Sequence, residues 1–217
     1  MKIYQYFLLA HLMLIFSSCT GQNNPKYIGK KFGVFNLDKI SFDENLDTLF
    51  SKSDFFVIAD KNSYYDTIKN KEIYTDTMAY IYRIPHAKVD GLYSFKGIKI
   101  KDKVVSFTAD KNKKFRKLDF SIYISEDEYS KLLNDCKDFK DITTEQIRKA
   151  NNNKYIILQK TDNHKQTTLY CLDDRRKKGD FNYGTYTEGD FFIRITINDL
   201  RIKDDAFYKR ENNDLKP

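Results

Sequence analysis

"KLDFSIYI", residues 117–124, alternates apolar and polar side chains without a break. In an extended chain Leu118, Phe120, Ile122 and Ile124 project to one side, and Lys117, Asp119, Ser121 and Tyr123 to the other. A period of two is the repeat of a strand with one buried face. "FFIRITIN", residues 191–198, does the same with Phe191, Ile193, Ile195 and Ile197. Further segments at 27–35, 54–59, 73–84, 92–100, 104–108, 155–159, 167–172 and 181–187 are rich in the β-branched and aromatic residues that suit strands. Several are joined by short turns such as Lys101-Asp102-Lys103 and Glu188-Gly189-Asp190. A parallel crossover needs a dozen residues or more, so short connections predict antiparallel neighbours.

Helical period is clearest after Ser125. With Glu128 three residues on, Ser125 makes a capping-box pattern in which hydroxyl and carboxylate each satisfy an orphan backbone group. A helix from there to about Asp138 is expected, and Thr143 with Gln146 signals a second, shorter one. The fold class expected is α+β: a predominantly antiparallel, curved sheet with one or two short helices inserted in the second half.

The chain has 217 residues, a formal charge of +7 and 15% aromatics, a content that argues against wholesale disorder. Three prolines and eight glycines leave long stretches without the punctuation of a linker. The expected organisation is a leader over 1–18, a tether over 19–26, one domain over 27–202 and a polar tail over 203–217.

The leader rests on "FLLAHLMLIFSSCTGQNN", residues 7–24. Lys2 precedes ten mostly apolar residues, then the small pair Ser17-Ser18, which is the order of a secretory signal. Ten is well short of the ~20 apolar residues that span a bilayer. The run Phe16-Ser17-Ser18-Cys19 resembles the lipobox of bacterial lipoproteins, with Phe16 where leucine is usual. That resemblance covers about the first 20 residues and implies a lipidated Cys19 as the new N-terminus. It implies a cell-envelope protein held by its acyl chains, most simply on the periplasmic face of the outer membrane. Cleavage after Gly21 is the alternative and would release a free periplasmic or secreted protein. Removing 1–18 takes away Lys2, leaving 199 residues and a charge of +6.

Cys136 and Cys171 would then meet an oxidising compartment. A disulfide between them would close a 36-residue loop, for which chain entropy predicts about 4 kcal/mol. Two buried thiols are the other reading, because Cys136 shares a helical stripe with Tyr129, Leu132 and Leu133.

Residues 96–117 hold nine Lys or Arg against Asp102 and Asp110, a local balance of +7. Lys99, Lys101 and Lys103 alternate on one strand face, and with Lys113, Lys114 and Arg116 they form a candidate surface for anionic headgroups or an acidic partner. A solvated hairpin face is the plainer explanation. The five tyrosines of residues 64–82 suit recognition or the edge of a core.

Catalytic signatures do not emerge. The sequence has no CxxC, HxH or HExxH for a metal, no GxSxG or SxxK, and no phosphate loop, and no cofactor is expected. A thiol–histidine pair of Cys171 with His164 or His86 is conceivable, but a strand cysteine is ordinarily buried. The expectation is a non-enzymatic envelope lipoprotein binding a protein or envelope polymer, of inhibitor or immunity type among other roles. The alternative is an envelope hydrolase with carboxylates that sequence does not locate. Nucleic acid is an unexpected partner for an exported domain.

Overall fold

In the computed structural model, residues 24–101, 104–173 and 191–201 are described. The two alternating stretches become β7 (Phe115–Ile124) and β11 (Phe191–Asp199), antiparallel neighbours at the centre of an eight-stranded sheet. Their register sets Ile124 opposite Phe191, Ile122 opposite Ile193, Phe120 opposite Ile195 and Leu118 opposite Ile197. All eight side chains are buried, so alternation in each sequence becomes one continuous apolar face.

The sheet grows outward by short connections. On one side lie β6 (Ser106–Asp110), β3 (Lys71–Arg83) and β2 (Phe56–Asp66); on the other β10 (Lys165–Asp173), β9 (Tyr155–Asp162) and the two-residue β8 (Lys140–Asp141). Every pairing in it is antiparallel. With three short α-helices among the described residues, the architecture is α+β.

The second layer sits on the apolar face. It contains a small sheet of β1 (Phe35–Asn36), β4 (Tyr93–Phe95) and β5 (Ile98–Lys99), and two helices, α1 (Leu46–Phe50) and α2 (Glu126–Asp135). Phe35 and Tyr93 of the small sheet and Phe50 of α1 each place a ring against Phe107, with centroids 6.2, 5.9 and 5.1 Å away. Tyr129 of α2 stacks on Phe191 at 4.1 Å. One hydrophobic cluster runs from Ile28 to Ile197 and draws on both layers.

The capping box at Ser125 forms: its hydroxyl accepts from the Glu128 amide at 3.3 Å, and the Glu128 carboxylate accepts from the Ser125 amide at 3.1 Å. The helix ends at Asp135, three residues before the expected stop. The next helix, α3 (Glu145–Ala150), is capped by Thr144 rather than Thr143. Thr143 is taken by Asp141 and by the Ile157 amide, which accounts for the shift. The expected strand at 27–35 is instead a loop with a 3-10 turn over Lys30–Phe32. Gly33 closes it at φ +93°, a conformation side chains disfavour, and bridges back to Gly29. The single strand expected at 92–100 is a hairpin, turned at Lys96 and Gly97, both with positive φ as tight hairpin turns require. β1 pairs with β4 in parallel, an exception to the antiparallel expectation. The leader, Cys19, the candidate strand at 181–187 and the tail at 203–217 lie outside the described residues.

Candidate functional site

The basic stretch is divided by the fold. Lys99 is exposed on β5 and Lys101 just beyond it, in the small-sheet layer. Lys113 and Lys114 are exposed on the β6–β7 turn. Lys103 lies outside the described residues. Lys113 reaches back to Asp47, with Nζ 3.3 Å from a carboxylate oxygen, and lies 5.7 Å from the centroid of the Tyr80 ring.

Arg116 corrects the surface reading. Its side chain is 7% exposed and turned into the protein, so it is no part of a headgroup-binding surface. Nε donates to Asp110 Oδ2 at 2.8 Å, and Nη1 donates to Asp199 Oδ2 at 2.9 Å. Strand parity is the cause: Arg116 shares the inward side of Leu118 and Phe120, and Asp199 that of Ile195 and Ile197. Asp110 ends β6 and also accepts from the amides of Asn112 and Lys114, shaping the turn that delivers Arg116.

The network continues to the surface. Arg201 donates through Nε to both oxygens of Asp199, at 2.9 and 3.0 Å, and through Nη1 to Asp43 at 2.6 Å. Asp43, Glu44, Asn45, Lys113, Lys114 and Arg201 line a pocket of about 490 Å³ over Arg116. Glu44 also borders a neighbouring pocket of about 420 Å³. One of its oxygens accepts from the Ser41 amide; the other is buried without a hydrogen-bond partner among the described residues.

Burial would raise the Asp199 carboxyl, but hydrogen bonds from Arg201 and Arg116 outweigh it and hold the group below its ordinary value. An acid held ionised is a poor proton donor at neutral pH. The alternating Asp-Arg-Asp-Arg-Asp chain is suited to pinning the ends of β6, β7 and β11 to the loop before α1. Sequence reading missed Asp43, Asp110, Asp199 and Arg201, although charges at inward parity on two apolar strands were the available signal.

Cys136 and Cys171 are free, buried thiols rather than a bridge. Burial pushes the Cys136 thiol up to about 11 and the Cys171 thiol up to about 12, where little reactive thiolate exists at neutral pH. Native protein is therefore expected to resist a thiol-alkylating reagent and to take up two equivalents from these positions once unfolded. Fast labelling of either in the native state would contradict this placement. His164 sits in the β9–β10 turn, with its Nε2 3.2 Å from the Ser41 carbonyl oxygen.

Among the described residues no cluster of three His, Cys, Asp or Glu side chains is placed to hold a metal, and no helix is long and apolar enough to cross a membrane. No protein-family model matches the chain, and no curated protein or solved structure matches it.

Proposed function

We propose that the chain is a lipid-anchored cell-envelope protein: Cys19 is acylated, the leader is removed, and the sheet domain binds a protein or envelope polymer without catalysing a reaction. The observation that carries this is the order of segments. A mostly apolar run of ten residues, a small pair and Cys19 are followed five residues later by Asn24. Asn24 already belongs to the fold, since its side chain donates to the Asn36 carbonyl at 2.9 Å and accepts from the Asn36 amide at 2.7 Å. Two or three acyl chains on one residue suffice for stable anchorage, at ~0.8 kcal/mol per buried methylene. The two carboxylates drawn together on Arg116 spend their charge on that guanidinium, which weighs against the hydrolase reading.

Cells fed an alkyne-bearing fatty acid are expected to label this chain and to lose the label with Cys19→Ala. Label that persists in the variant would remove the anchor from the proposal.

A further inference from the structure

Among the described residues β2 is an edge of the large sheet, and it begins with a run that a soluble edge ordinarily avoids. Phe55, Phe56, Val57 and Ile58 are consecutive and each between 37% and 42% exposed. Because successive residues of a strand face opposite ways, the exposure belongs to the rim of the sheet rather than to one face. Charge returns to the strand at Asp60 and Lys61, where its pairing with β3 also shifts register.

Lysines are set in the loop and the turn that lead into this rim. The Ile28 amide donates to the Leu49 carbonyl, which lays the 26–34 loop beside the turn after α1. A side chain added at Gly29 would come within 3.7 Å of the Lys52 carbonyl oxygen. Lys26, Lys30, Lys31 and Lys52 are all exposed, and so is Lys88 beyond Phe55. Asp54 opposes them, itself ion-paired with Lys88. Val34 adds another exposed apolar side chain to the loop, at 37%. Aromatic and aliphatic groups interleaved with long cationic side chains suit the headgroup layer, where rings enter the acyl boundary and ammonium groups stay with lipid phosphate.

The chain also enters the fold here. Asn24 pairs with Asn36 just before the 26–34 loop, and from Cys19 to Asn24 is five residue steps, at most ~18 Å, so an anchor at Cys19 would hold that loop close to its bilayer.

We infer that the β2 rim and the 26–34 loop dock on the anionic surface of the bilayer that holds the anchor. The inference rests on the lipid-anchor reading and fixes which face of the domain the membrane covers. It replaces the stripe at Lys99 and Lys101 as the headgroup surface.

The chain contains no tryptophan, so one introduced residue reports alone. Acylated full-length Phe56→Trp protein would be reconstituted in phosphatidylcholine vesicles containing phosphatidylglycerol. The introduced indole is expected to shift its emission to the blue and to lose most of it when the acyl chains carry bromine; Ile58→Trp serves if the first variant folds poorly. Ile142→Trp, on the far edge, should be unaffected. Reversing Lys30, Lys31 and Lys52 to Glu should weaken surface docking by on the order of 100-fold or more, and high salt should weaken it too. Unquenched emission from a protein whose mass shows its acyl chains would overturn the docking face while leaving the anchor intact. A protein without acyl chains would overturn the anchor; added to the same vesicles it still tests the rim, a blue shift supporting the inference and its absence overturning it. A blue shift that needs no lipid and grows with a dimer in sedimentation would assign the rim to a second copy and overturn the inference.

Discussion

Arg116→Met is expected to destabilise the fold by about 3–5 kcal/mol, the range for breaking a buried ion pair by removing one partner. The variant keeps the apolar stem but leaves Asp110, 2% exposed, and Asp199, fully buried, without the guanidinium that both accept from. Chemical denaturation at neutral pH measures the loss as a lower midpoint. Changing Asp110 and Asp199 to Asn in the same chain should recover part of it, because the penalty lies in the stranded charges rather than in the missing arginine.

The same network sets a pH dependence whose sign is determined. The folded-state pKa of Asp199 is lowered from the ordinary 3.8 by its arginine partners. Its contribution is therefore fully present at neutral pH and is lost as pH falls below about 4 and through the lowered value. In Arg116→Met, Asp199 loses one of the hydrogen bonds that hold its carboxyl below the ordinary value. The stability gap between native and variant chains should narrow in acid, and a gap that widens there would refute the assignment.

Phe107→Ala is the second large effect, expected at about 3–5 kcal/mol for a phenylalanine removed from a closed core. Phe107 is fully buried, and the rings of Phe35, Phe50, Tyr93 and Phe115 all lie within 6.2 Å of its centroid. It is where the small sheet, α1 and the large sheet meet, so the cavity would face three elements at once. Phe107→Leu should cost less, having more of the volume refilled. A loss for Phe107→Ala below about 1 kcal/mol would mean that the two layers do not close on this ring.

What was legible in the sequence follows from what each signal measures. Strand alternation reports on a single buried face, so β7 and β11 were readable almost residue for residue. The capping box at Ser125 was readable because its partners are three residues apart. The helix Leu46–Phe50 was not, because five residues are too few to show a helical period. The loop at 27–35 resembled a strand because its aromatic and aliphatic residues do pack: Ile28 and Phe35 are buried, but by a turn around Gly33. Charge counting placed Arg116 on the surface with its neighbours Lys113 and Lys114. Counting parity outward from Leu118 would have placed it inside, opposite the position two beyond Ile197, and that position is Asp199. The rim at 54–58 was read as an ordinary strand, since sequence does not say which strand ends a sheet.

The anchor is the premise from which the docking face follows, and the intact mass of the native protein tests it most directly. The account predicts a chain beginning at Cys19 and heavier than residues 19–217 by the mass of its acyl groups. A mass that retains residues 1–18, or that matches an unmodified chain starting after Gly21, would contradict it.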